Sequence, residues 1–181
     1  MTSYDVPLWV NPNRREGRWN LPGVGCTQYF ALDAEAPFAE TIRHEDLRSE
    51  ADVSHYSTTL WQLKVDEGAV VDYSDFALAE AAGFPPEALV EDDYERCQAE
   101  AAWLVSKGAQ ALKTPSAALP GSVNLTVFGA RVPIPWSSTA SLTSAMPSQR
   151  LMDGHPPAGL VSRVRYFGQE HSQLLSYLQA R

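Results

Sequence analysis

An arginine, a tyrosine and a glutamate recur at steps of eleven residues in this chain: Arg18, Tyr29 and Glu40. Arg18 sits in Gly17-Arg18-Trp19-Asn20, within a stretch rich in Pro, Gly, Asn and Arg that reads as a loop. Tyr29 sits in the strand-like run Gln28-Tyr29-Phe30, and Glu40 in a predicted helix. A guanidinium grips a pyrophosphate with paired N–H groups. A phenol ring packs on a flat ring and anchors its hydroxyl. A carboxylate holds a ribose hydroxyl. The three side chains therefore suit a nucleotide. A second signal, Lys113-Thr114-Pro115-Ser116, lies in the far half of the chain.

Positioning these residues requires a folded core. With 181 residues, the chain is long enough for one domain with a sizeable interior. Hydrophobic residues make up 44% and charged residues 20%, as in ordinary soluble domains. The net charge of −8 gives no overall footprint for nucleic acid or an anionic membrane. No apolar run spans a bilayer, and Met1 to Trp9 has neither a basic nor an apolar leader region. A cytoplasmic location is expected. Cys26 and Cys97 are far apart, and the four histidines are scattered, so no disulfide framework, zinc site or structural metal is expected.

The predicted strands are Leu8–Val10, Gln28–Leu32, Thr58–Val65, Val70–Tyr73, Ala111–Thr114, Val123–Phe128, Arg131–Ile134 and Leu160–Phe167. In the strand from Val123, residues Val123, Leu125 and Val127 share one face, and Asn124, Thr126 and Phe128 the other. Predicted helices begin at Asp33, run over Ser74–Ala82 and Asp92–Lys107, and close the chain over Gln169–Gln179. Phe38 and Ile42, four apart, pack on the core face of the first. Glu40, two residues from each, points roughly 200° away from both. Tyr94, Cys97, Ala101 and Leu104 form one apolar stripe on the third. Ser137–Pro157 reads as a loop or irregular crossing segment. Strands and helices intermix without a GxGxxG turn. The expected fold is therefore α+β, with a mixed or antiparallel sheet flanked by helices.

Taken in order, Gly17-Arg18-Trp19-Asn20, the Tyr29 strand, Ala39-Glu40, and Pro115-Ser116 before an Asn124…Phe128 strand resemble the RES domain. The resemblance runs over roughly residues 8–131, with 132–181 as a C-terminal extension of one 1–181 domain. It implies a fold similar to the ADP-ribosyltransferase toxins. It also implies a toxin of a bacterial toxin–antitoxin pair that degrades NAD, as an NAD phosphorylase or NAD glycohydrolase. NAD is then substrate rather than cofactor, with inorganic phosphate a co-substrate in some members. The implied partner is a small helical antitoxin with an Xre-like region that blocks the active site. Arg18, Tyr29, Glu40 and Ser116 match the family's catalytic residues, and Trp19 and Asn124 join Arg18, Tyr29 and Ser116 as NAD-binding residues. One departure bears on the acceptor. Many members carry a basic residue just after the first strand's opening aromatic; here the run is Leu8-Trp9-Val10, so a phosphate contact is either missing or supplied by Arg14 or Arg15.

The chemistry fits these roles on its own terms. Breaking a nicotinamide–ribose bond builds an oxocarbenium-like transition state, as in glycoside hydrolysis. Glu40 can stabilise that cation, Arg18 the pyrophosphate and Tyr29 the nicotinamide, while Ser116 hydrogen-bonds ribose or phosphate. Ser116 is not expected to be a nucleophile, because the sequence alone places no histidine base beside it and the chemistry needs no covalent step. Each residue also has an ordinary reading. A loop arginine is usually solvated, a strand tyrosine half-buried, a helix glutamate exposed, a serine after proline a turn residue, and Trp19 a packing anchor. Glu100 is a secondary candidate. Two other functions compete: mono-ADP-ribosylation of a protein, and an inactive module that only holds its partner. The apolar stripe of the terminal helix serves either packing on the domain or a homo-oligomeric contact.

Overall fold

The computed structural model describes residues 16–20, 27–63, 68–128 and 148–181. The Leu8–Val10 and Arg131–Ile134 strand expectations, Arg14, Arg15 and Cys26 lie outside these residues. A four-stranded mixed sheet organises the chain, in the order β1-β5-β4-β3. Its strands are β1 (Thr27–Ala31), β3 (Val70–Asp72), β4 (Ala111–Pro115) and β5 (Val123–Phe128). β5 runs antiparallel to both β1 and β4, and β3 is parallel to β4. The helices are α1 (Ala36–His44), α2 (Glu50–Ser54), α3 (Phe76–Ala81), α4 (Glu95–Ser106) and α5 (Ser172–Gln179). The fold is α+β, as the intermixed pattern implies.

Register puts Tyr29 opposite Thr126, Ala31 opposite Asn124, and Asn124 opposite Thr114. Side chains alternate across a strand, so Tyr29, Thr114, Asn124 and Thr126 share one face. Against that face packs a core that includes Trp19, Tyr73, Phe84, Cys97, Leu104, Leu112 and Phe128. Cys97 is a free, buried thiol, and burial pushes it up to about 11. The opposite face holds Ala111, Leu125 and Val127. A further core joins α1 to Ala118, Leu119, Leu160, Val161, Val164 and Tyr166.

α1 matters most for the site. Pro37 presets its first turn. The Asp33 carboxylate accepts from the N–H groups of Glu35 and Ala36 at 3.1 and 2.9 Å, capping the helix from outside its first residue. Arg43 and His44 in the last turn complement the helix dipole. The helix ends where Asp46 turns left-handed (φ 54°) and the Leu47 N–H returns to the Ile42 carbonyl. Phe38 and Ile42 are buried, each worth about 2 kcal/mol in removed apolar surface. Glu40, on the other side, is left for polar partners.

Two expectations in the C-terminal part are corrected. Within the segment read as irregular, β6 (Ser148–Gly154) pairs antiparallel with β2 (Thr58–Leu63). Leu160–Phe167 is not a strand: a single 3-10 turn spans Val161–Arg163. Its buried residues Leu160, Val161, Val164 and Tyr166 do not alternate, so they fit a turn and an extended strap rather than a pleat.

Candidate active site

Glu40, Ser116 and Asn124 meet although they come from α1, the end of β4, and β5. Ser116 Oγ donates to Glu40 Oε1 at 3.1 Å, and Asn124 Nδ2 donates to the same oxygen at 3.1 Å. Both bonds go to Oε1. Oε2 faces His44 Nε2 at 3.9 Å, one helical turn on, and the Glu40 side chain keeps 32% exposure. The result is a carboxylate held by one oxygen and open at the other. Such a group stabilises developing positive charge without having to reorganise.

Ser116 is held from every side. It is fully buried, and its Oγ accepts from the N–H groups of Ala118 and Leu119 at 3.3 and 3.1 Å. This is the local hydroxyl-to-backbone turn that serine forms after a strand. Its own N–H donates to the Ser122 carbonyl at 2.8 Å, closing the turn into β5. Gly121, at φ 94°, makes the sharp return. The expectation that Ser116 hydrogen-bonds ribose or phosphate meets a hydroxyl whose proton goes to Glu40. Likewise Asn124 gives its amide to Glu40.

Arg18 is presented by a small bridge between Gly17 and Asn20. The Trp19 N–H donates to Tyr29 Oη at 3.0 Å, and Gln98 Nε2 donates to the Gly17 carbonyl at 3.1 Å. A Cβ at Gly17 would lie 2.8 Å from Tyr29 Oη, so the loop needs glycine for this close approach. Arg18 Nη1 donates to the Ala88 carbonyl at 3.3 Å, and its guanidinium lies 4.7 Å from the Tyr94 ring centre. Among the described residues no carboxylate pairs with it. Its charge is felt at both Arg43 and His171. The Trp19 indole is buried against Phe84 in the core, which makes it a packing anchor. Glu100 is engaged by the Tyr73 hydroxyl at 2.8 Å, and burial together with this bond pushes the Tyr73 phenol well up.

A buried ionic knot braces α1. Asp92 Oδ1 accepts from Arg43 Nη2 at 2.6 Å and from Arg165 Nη1 at 3.0 Å, and Asp92 Oδ2 accepts from the Gly168 N–H at 2.6 Å. Burial alone would push the Asp92 carboxyl up. The Gly168 N–H and the two arginines outweigh it and hold the carboxyl below 3.8. Arg43 is one turn beyond Glu40, and its guanidinium lies 4.2 Å from the centre of the half-exposed Phe167 ring. Sequence reasoning did not single out Arg43, Asp92, Arg165 or Phe167 for this site. The first three are charged residues nine-tenths or two-thirds buried, a property visible only once the chain is folded.

Among the described residues no group of three or more His, Cys, Asp or Glu could hold a metal ion. None of the described helices is long and apolar enough to cross a membrane. Comparison with curated proteins returns no match. Among solved structures, a chain from the crystal structure of the M. tuberculosis MbcT-MbcA toxin-antitoxin complex is similar. It shows 22% identity and a TM-score of 0.55, covering 82% of this chain and 76% of that one. The likeness is one of fold. The family model for the RES domain matches residues 3–150, most of the chain and all of Arg18, Tyr29, Glu40, Ser116 and Asn124. The residues that build this carboxylate site are thus those of a chain that belongs to the RES domain family.

Proposed function

We propose that the protein cleaves the nicotinamide–ribose bond of NAD and serves as the toxin of a toxin–antitoxin pair. The observation that carries this reading is the Glu40 carboxylate, tied at Oε1 by Ser116 and Asn124 and open at Oε2. As the C–N bond breaks, nicotinamide leaves with the bonding electron pair and positive charge grows on the ribose. Oε2 faces that charge and accepts a hydrogen bond from the 2′-hydroxyl. Ser116 and Asn124 act as positioning residues for Glu40, and Arg18 balances the pyrophosphate. An acceptor oxygen then bonds to the anomeric carbon. Phosphate yields ADP-ribose 1″-phosphate; water yields ADP-ribose and a proton. The similarity to a chain of a toxin–antitoxin complex supports a protein partner for this chain too, and an antitoxin that covers the half-exposed Glu40 would silence it.

Incubating the purified protein with NAD and inorganic phosphate, and separating the products, tests the reading. Nicotinamide release is expected, slowed by roughly 10²–10³-fold in Glu40→Gln, the scale for losing one preorganised charge-stabilising group. No release by the wild type, or undiminished release by the variant, would refute it. The sugar product identifies the acceptor. Growth arrest on expression, relieved by co-expressing the partner, tests the toxin role.

A further inference from the structure

The strap from Leu160 to α5 lies beyond the stretch matched to the RES domain, yet it grips the turn that holds Ser116. Three bonds tie it there. The Arg165 N–H donates to the Ala118 carbonyl at 2.8 Å, the Gly121 N–H donates to Gln173 Oε1 at 3.1 Å, and His171 Nε2 meets the Ser116 carbonyl at 3.1 Å. His171 is 2% exposed and packs edge-on against Phe76. It is also the N-cap of α5: its Nδ1 accepts from the Leu174 N–H at 3.3 Å.

The two bonds fix the tautomer. Nδ1 accepts, so it carries no proton. Nε2 therefore holds the proton and donates to the Ser116 carbonyl. Both ring nitrogens are committed to backbone groups of separate elements, one in the turn after β4 and one in α5. Ser116 in turn holds Glu40 Oε1.

We propose that His171 is a positioning residue of the active site, fixing the Ser116 peptide so that the Ser116 hydroxyl can hold Glu40. The proposal rests on the NAD-cleavage reading for its kinetic consequence only. The geometry separates two jobs that different side chains can copy. An asparagine oxygen takes the place of Nδ1 and keeps the cap, but its amide nitrogen falls short of the Ser116 carbonyl. A glutamine amide nitrogen takes the place of Nε2 and reaches that carbonyl, but loses the cap.

The experiment compares wild type, His171→Asn and His171→Gln by nicotinamide release, thermal melting and amide hydrogen exchange. His171→Asn is expected to lose about tenfold or more in kcat with KM little changed, the scale of a small misplacement of a catalytic group. Its Ala118 and Leu119 amides, which donate to Ser116 Oγ, should exchange faster than in wild type. His171→Gln should keep most of kcat and protect those two amides, while melting at a lower temperature than His171→Asn. The ranking by activity thus reverses the ranking by stability. Rates that follow melting temperature across the three proteins, or unchanged exchange at Ala118 and Leu119 in His171→Asn, would overturn the proposal. If the wild type releases no nicotinamide, the functional reading fails, and the exchange of the two amides alone still decides whether His171 holds Ser116.

Discussion

Lowering the pH from 7 to 5 should weaken the fold through His171, and the size of the effect follows from its surroundings. Burial drives the imidazole down from 6.5 to about 4. The hydrogen bond to the Ser116 carbonyl opposes this, while the nearby charges of Arg165, Arg43 and Arg18 add to it. The folded value is depressed for a basic group. As pH falls, the unfolded chain therefore takes up a proton near 6.5, while the folded chain refuses it until about 4. In that window the unfolded state binds more protons, so stability rises with pH and is lost on acidification. The full shift corresponds to roughly 3 kcal/mol, and the part expressed between pH 7 and pH 5 is about 2 kcal/mol. With a urea slope of about 2 kcal/mol per molar, the unfolding midpoint should drop by about 1 M. Asp52, Asp72 and Asp92 are held below 3.8 in the folded chain, so their stabilisation is lost at lower pH. They contribute equally in a variant that lacks only the imidazole. The assay is therefore the urea midpoint of wild type and His171→Gln at both pH values. The wild type should lose about 1 M more than the variant. Midpoints that fall in parallel would refute the claim that His171 is buried neutral with both nitrogens committed.

Two further perturbations test the supports of the site. Gly17→Ala sets a methyl group against Tyr29 Oη and should break its bond to the Trp19 N–H, costing about 1 kcal/mol and raising KM for NAD as Arg18 shifts; thermal melting and steady-state kinetics check it. Asp92→Asn leaves Arg43 and Arg165 buried without their counter-charge and should cost about 3 kcal/mol or more in chemical denaturation.

Local physics made much of the frame legible. β5 occupies the predicted Val123–Phe128, with Leu125 and Val127 on one face and Asn124 and Thr126 on the other, because alternation is a property of consecutive residues. The stripe Cys97, Ala101 and Leu104 is buried on α4 for the same reason. Glu40 was legible as a residue turned away from Phe38 and Ile42. α2 went unseen although Ser49 and Asp52 form a reciprocal capping box, because a helix of five residues shows too little periodicity to register. The β2–β6 pair and the strap after Leu160 also escaped, since both depend on partners far along the chain.

That dependence explains why the partners of the site's side chains cannot be read from the sequence. The bonds that define the carboxylate span 76 residues from Glu40 to Ser116 and 84 from Glu40 to Asn124, and the bond bracing Ser116 spans 55 residues to His171. No periodicity encodes contacts of that reach. Read as a ladder, Arg18, Tyr29 and Glu40 look like three direct ligands of a nucleotide, with Ser116 a fourth. Folded, they divide into two layers. Among the described residues Arg18 has no carboxylate partner, and Glu40 Oε2 meets only His44 Nε2, at 3.9 Å. Tyr29 Oη, Ser116 Oγ and Asn124 Nδ2 are engaged with the protein, and their bonds fix where the first layer points. Substitution of Ser116 or Asn124 should therefore lower kcat through disorder of Glu40, whereas substitution of Arg18, or of Tyr29 beside it, should weaken NAD binding. The same logic extends the site into the strap, where His171 and the Arg43–Asp92–Arg165 knot brace the two elements that carry Ser116 and Glu40.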